Sequence, residues 1–152
     1  FGLARIVSSA DDLQFIVDVV PSRSNGITFC TGSLGAGAHN DVPAMADRFS
    51  AHIHFAHLRN VAKEPDGSFM EADHLGGDTD MVAVVRTLLR EERRRRDAGD
   101  ATWQIPFRPD HGHELLDDVG KRSFPGYSTI GRLKGLAEIR GVMAAIMCLD
   151  GY

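Results

Sequence analysis

Three side chains of the kinds that ligate divalent metals, Cys30, His57 and Asp110, each stand at or just past the end of a short apolar run. The runs 27–30, 53–58 and 104–108 read as β-strands. Side chains alternate across a strand, so Thr28 and Cys30 share one face, as do Ile53, Phe55, His57 and Arg59, and again Gln104, Pro106, Arg108 and Asp110. In parallel α/β folds the site lies at the carboxyl ends of the strands, so the three ligand types can converge at one rim. A thiolate, an imidazole and a carboxylate suit Mn²⁺, Fe²⁺, Co²⁺ or Zn²⁺ and fit poorly with Mg²⁺ or Ca²⁺, which prefer oxygen shells. Three protein ligands leave coordination positions open to a substrate oxygen, which is catalytic rather than structural use. Arg59 and Arg108, inward at the same rim, could clamp an anionic group through their planar forks.

Each residue also has an ordinary explanation. A free cysteine is commonly a small buried hydrophobe, His57 could be a satisfied core histidine, and Asp110 could cap the segment that follows it. Around Asp110 the segment Arg108-Pro109-Asp110-His111-Gly112-His113 is dense in proton-transfer groups, and His111 could act as general acid or base. Tyr127, in Pro125-Gly126-Tyr127, either donates a proton or sits in a turn. His39 and His52 read as surface residues and His54 as facing the helix layer.

The elements that must hold these residues alternate. Ser9, Asp11 and Asp12 precede Leu13, Ile16, Val17 and Val20, a capped helix with one apolar stripe that stops near Pro21. A glycine-rich loop, 31–38, follows the first strand, and Asp41 caps a short helix through Phe49. A long polar loop, 61–78, follows the second strand. Met81, Val84, Val85, Leu88 and Leu89 then mark a strong helix that ends in arginines before Gly99. From Thr129 a final helix carries Leu133, Leu136, Ile139, Met143, Ile146 and Met147 at helical spacing, which makes Met143 and Met147 core rather than a cofactor box. Helix and strand alternate as in parallel sheets with right-handed crossovers. The expected fold class is α/β: a small open sheet or, preferred, the last three units of an eight-stranded barrel.

Composition narrows the classes. The 152 residues are 43% hydrophobic and 25% charged, the makeup of a globular domain with a sizeable core. A net charge of -4 argues against a broad basic field for nucleic acid, and the arginine run 93–96 reads as the solvated end of a helix. Two cysteines far apart make no secreted disulfide framework, and no apolar stretch is long enough for a membrane span. The expectation is a cytoplasmic protein, and the opening at Phe1 reads as a piece of a longer chain.

At these residues the sequence closely resembles the mannonate dehydratase family across nearly its whole length. The matching segments are Arg5-Ile6-Val7-Ser8, Cys30-Thr31-Gly32-Ser33, His57-Leu58-Arg59-Asn60, His74-Leu75-Gly76-Gly77-Asp78, the Arg108 to His113 segment, and Pro125-Gly126-Tyr127 followed by Ile130-Gly131-Arg132-Leu133-Lys134-Gly135-Leu136. The resemblance implies the C-terminal βα units of a TIM-type (β/α)8 barrel of the xylose-isomerase-like kind, with the N-terminal strands and a further histidine ligand outside this chain. It implies Mn²⁺ or Fe²⁺ held by Cys30, His57 and Asp110, and loss of water from D-mannonate to give 2-keto-3-deoxy-D-gluconate in hexuronate breakdown. His111 and Tyr127 would divide the acid and base roles, and Arg59, Arg108 and His74 would meet the substrate. The loop 61–78 is long enough to be a lid, or is an ordered surface loop. The full-length protein would be a homodimer acting on a small sugar acid, with no nucleic-acid or membrane partner. Two other readings stand beside this one: a sugar isomerase or epimerase on the same scaffold, and an inactive barrel fragment that serves as an interaction module through its edge strands.

Overall fold

In the computed structural model Ser9 caps the first helix, α1 (Ala10–Val19), reciprocally: its hydroxyl accepts from the Asp12 N–H while the Asp12 carboxylate accepts from the Ser9 N–H. The structure describes residues 6–151, so Arg5 of the first motif lies outside the described residues. Leu13 and Val17 bury the helix's inner stripe. Strand β1 (Ile27–Cys30) follows, and the glycine-rich stretch after it winds into a short helix, α2 (Thr31–Gly35), where a loop was expected. The cause is local: Cys30 Sγ accepts the Ser33 N–H at 3.4 Å and caps the turn. Helix α3 (Val42–Phe49) is capped by Asp41, as its position suggests.

Strand β2 (Ile53–His57) pairs in parallel with β1, but not in simple alternation. Ile27 faces Ile53 and Thr28 faces Phe55, so the ladder skips His54 before Phe29 meets Ala56 and Cys30 meets His57. This bulge places Ile53 in the buried core with Ile27 rather than on the His57 face. It also leaves His54 exposed over Gly26 instead of against the helix layer. His39 is exposed and His52 half-buried.

The stretch expected as a long loop begins with a hairpin, β3 (Asn60–Lys63) and β4 (Phe69–Ala72), antiparallel with Val61 opposite Glu71. Asp66-Gly67 at its tip, with Gly67 at φ +87°, is a hairpin turn signal. Helix α4 (Met81–Asp97) is capped by Asp80, buries Val84, Val85, Leu88 and Leu89, and ends before Gly99 at φ +74°. Strand β5 is only Phe107–Arg108, shorter than the expected 104–108 run because Pro106 has no N–H to give the ladder. Its carbonyls nevertheless hold β2: Ala56 N–H donates to Pro106 O and Leu58 N–H to Arg108 O. Helix α5 (Thr129–Leu149) buries Ile139 and Ile146 and leaves Leu133 and Met147 exposed, so of the two methionines only Met143 packs on the core.

The parallel sheet runs β1-β2-β5, with α3, α4 and α5 packed in sequence over it. The described residues form an open three-stranded sheet, not a closed barrel. Among them no helix is long and apolar enough to cross a membrane.

The arginine run does not simply face water. Four consecutive residues sweep a whole helical turn, so one must point inward. That residue is Arg95, 7% exposed, which donates to the Glu91 carboxylate and to the carbonyls of Ser50 and Ile53. Hydrogen bonds from Arg94 and then Arg95 hold the Glu91 carboxyl below its ordinary range. Arg95→Ala uncouples α4 from the start of β2 and should cost about 3–5 kcal/mol in urea unfolding. Because Glu91 has a lowered folded-state pKa, its contribution is present above its ordinary value of 4.5 and is lost as pH falls through the folded value. The gap between wild type and variant should therefore narrow on acidification below about that pH.

Candidate metal and active site

The register that pairs Cys30 with His57 and His57 with Arg108 lines up three adjacent strand ends. Asp110 follows two residues later in the left-handed region, φ +66°, which a short polar side chain tolerates better than most. One potential ligand atom from each of Cys30, His57 and Asp110 lies within 4.8 Å of the others, a spacing that suits one ion between them. Thr31 ties this rim together, its hydroxyl 3.0 Å from the His57 carbonyl and also in reach of that of Arg59.

The donor set fits a divalent ion on two further counts. Asp110 is 7% exposed, and its Oδ1 has no hydrogen bond although Arg108 Nη2 stands 2.8 Å away, close but out of line. A buried carboxylate oxygen in that position is available to a cation. His57 Nδ1 is 3.8 Å from Asp110 Oδ2, and burial lowers the His57 pKa against the opposing pull of Asp110, with Arg108 and His111 adding to the depression. A neutral imidazole is the form that ligates metal.

His111 sits behind this triad. Its Nε2 is 3.9 Å from Asp110 Oδ2, its Nδ1 is 3.1 Å from Glu71 Oε1, and its ring meets Tyr127 edge-on at 4.8 Å. Glu71 is also ion-paired with Arg59, so Arg59 is engaged within the protein rather than open to an anion. Arg108 keeps half of its side chain exposed and lines a cleft of about 190 Å³ with Asp110, Tyr127, Arg132 and Leu136. His74, 4% exposed, binds the Pro109 carbonyl through Nε2 at 2.9 Å, with its ring filling the space beside Gly135. It therefore supports the backbone just before Asp110. A groove of about 1100 Å³ opens at the amino ends of the strands and holds none of these residues, and in this fold class the carboxyl ends carry the chemistry.

Sequence reasoning missed Glu71, Asp118 and Arg132. The buried Asp118 carboxylate accepts the N–H groups of Thr129, Ile130 and Gly131, capping α5 from a distant turn. Gly131 lets that helix end touch the site loop, for a Cβ there would lie 1.9 Å from the His113 carbonyl oxygen. The Arg132 guanidinium lies 5.6 Å from the centre of the Tyr127 ring.

A family model described as D-mannonate dehydratase (UxuA) matches residues 1–150. Mannonate dehydratase of Saccharophagus degradans is 56% identical over 151 residues, which cover 99% of this chain and 38% of that protein. The Rhizobium meliloti mannonate dehydratase is 57% identical over 148 residues, 95% of this chain and 37% of that one. The crystal structure of mannonate dehydratase from Streptococcus suis serotype 2 superposes with a TM-score of 0.84 at 35% identity, covering 99% of this chain and 41% of that one. The chain thus spans well under half the length of the relatives it matches.

Co²⁺ titrated into metal-stripped full-length protein should produce a thiolate-to-metal charge-transfer band that Cys30→Ser abolishes. Asp110→Asn should weaken binding by more than the roughly 10- to 100-fold that loss of a supporting partner costs. An unchanged spectrum in Cys30→Ser would remove the sulfur from the ligand set.

Proposed function

The chain belongs to the D-mannonate dehydratase family, and on that premise we propose that the full-length protein dehydrates D-mannonate to 2-keto-3-deoxy-D-gluconate in hexuronate breakdown, with this segment supplying Cys30, His57 and Asp110 to a catalytic metal. The convergence of those three ligand atoms within 4.8 Å, beside the proton-transfer group His111, is the observation that carries the reading. The open parallel sheet would be completed by further strands into a xylose-isomerase-like (β/α)8 barrel, whose carboxyl-end rim is where Cys30, His57 and Arg108 are paired. We take the enzyme to be a cytoplasmic homodimer acting on a small sugar acid, and the ion to be Mn²⁺ or Fe²⁺.

Dehydration removes a proton from C2, beside the carboxylate, and expels the C3 hydroxyl. A bound divalent ion supplies the positive charge that stabilises oxyanion character on the substrate. The protein's own groups then move the protons. His111 and Tyr127, stacked edge to face, divide the work, one taking the C2 proton and the other delivering a proton to the departing C3 oxygen so that it leaves as water. The resulting enol tautomerises to the 2-keto product. Arg108 is the better placed of the two arginines to hold the substrate carboxylate, since half of its side chain is open to the cleft beside Asp110, whereas Arg59 is mostly buried against Glu71. His74 would act through the Pro109 carbonyl that it binds.

The full-length protein loaded with Mn²⁺ under reducing conditions should convert D-mannonate to a keto-deoxy acid, and Cys30→Ala should lose that activity. Turnover of a neutral aldose with no product from mannonate would transfer the site to isomerase chemistry. Arg108→Leu should raise KM for the sugar acid by roughly 10- to 100-fold, about 1.4–2.8 kcal/mol for a charge-assisted contact.

A further inference from the structure

We propose that Glu71 is a positioning residue that fixes His111 in the tautomer with hydrogen on Nδ1, and so makes Nε2 the base. The inference rests on the dehydratase reading above and adds to it the assignment of which group takes the C2 proton.

An ionised carboxylate only accepts hydrogen bonds. Glu71 Oε1, 3.1 Å from His111 Nδ1, therefore calls for a hydrogen on that nitrogen and leaves a lone pair on Nε2. Nε2 is the ring atom on the metal side, 3.9 Å from Asp110 Oδ2. Among the described residues, Tyr127 and Gly126 confine the ring, and the carboxylate nearer to it is Glu71 at Nδ1, 3.1 Å away, rather than Asp110 at Nε2, 3.9 Å away. The edge of Tyr127 packs against one side of the imidazole, and Gly126 lies close behind Nδ1, where even a Cβ would come within 3.0 Å. Glu71 cannot easily swing away, because Arg59 holds the same oxygen. The Arg59 stem is itself confined against Gly32, and His113 Nε2 lies 3.2 Å from the Glu71 carbonyl at the end of β4. Both Glu71 and Arg59 are four-fifths buried, so water competes weakly for the contact.

The proton balance follows. The C2 proton moves to His111 Nε2 and the C–H electron pair forms the C2–C3 double bond as the C3–O bond breaks. The leaving oxygen takes a proton from the Tyr127 hydroxyl and departs as water. The imidazolium formed on His111 is met at Nδ1 by the Glu71 carboxylate, and His111 and Tyr127 are reset by giving a proton to solvent and taking one from it. The hairpin is thereby a scaffold for the base: β4 carries the carboxylate, and Val61 opposite Glu71 fixes the strand that places it.

The test uses the full-length protein with ¹⁵N-labelled histidine, metal-free for long-range ¹H–¹⁵N NMR and Mn²⁺-loaded for kinetics. Wild-type His111 should carry its hydrogen on Nδ1. Glu71→Leu should shift the hydrogen to Nε2 and lower kcat about 100-fold, with KM changed far less. Glu71→Gln, whose amide oxygen still accepts from Nδ1, should keep the Nδ1 hydrogen and retain more kcat than the leucine variant, which also covers the case in which Glu71→Leu does not fold. A wild-type His111 protonated on Nε2, or a glutamine variant no better than leucine in both readouts, overturns the proposal. If wild type makes no keto-deoxy product, the dehydratase reading fails, and the tautomer measurement alone still decides the Glu71–His111 contact.

Discussion

The register between β1 and β2 is the constraint on which the site depends. Neighbouring strands lie roughly 4.8 Å apart, about the distance between two ligands of one ion, so residues paired at adjacent strand ends are already at metal-binding spacing. Cys30 is paired with His57 only because the ladder skips His54. Without that bulge Cys30 would face Ala56, and the imidazole would be one residue past the rim. The core enforces the skip: Ile27 with Ile53 and Phe29 with Ala56 are all buried, and no uniform register satisfies both pairs. Arg95 contributes from behind by binding the Ser50 and Ile53 carbonyls, which anchors the beginning of β2 to α4. Packing on one face of the sheet thus sets the chemistry on the other.

Asp110 reaches the rim by a different device. Strand β5 ends at Arg108, and a regular continuation has no means of turning both Asp110 and His111 toward the same centre. A left-handed residue costs of order 1–3 kcal/mol and persists only where its surroundings hold it. Here His74 grips the Pro109 carbonyl on one side, and the Gly112 N–H donates to Gly126 O on the other. Helix α5 closes the arrangement, its first N–H groups taken up by Asp118 and its Gly131 pressed against the loop.

Much of this was legible in the sequence, and the reasons are specific. Cys30, His57 and Asp110 could be grouped because parallel strands end at a common rim, even though strict alternation misassigned Ile53 and His54. Ser9 and Asp41 declared their helices because a capping side chain acts on its own neighbours. The hairpin was hidden by polar residues around its tip, although Asp66-Gly67 signalled it. Glu71 carried no local signal at all, for its role exists only once β4 is laid beside the Arg108 loop. The burial of Arg95 was likewise invisible in a run of like charges, where composition points to water and only helical geometry points one member inward. Interactions between near neighbours can be read from spacing; those that join residues about forty apart, such as Glu71 with His111, require the fold.

Electrostatics explains why the long-range contacts matter. If the site takes a cation and a sugar acid, as proposed, its carboxylates must be held without repelling that acid. Here each carboxylate at the rim is matched: Asp110 has Arg108 beside it, and Glu71 has Arg59. Burial pushes His57 toward its neutral form against the pull of Asp110, and Arg108 and His111 add to the shift. Were Glu71 lost, Arg59 would become an unmatched cation, and the His111 ring would lose its partner at Nδ1. The same side chain therefore matches the Arg59 charge and contacts the His111 ring, and a neutral residue cannot replace both roles.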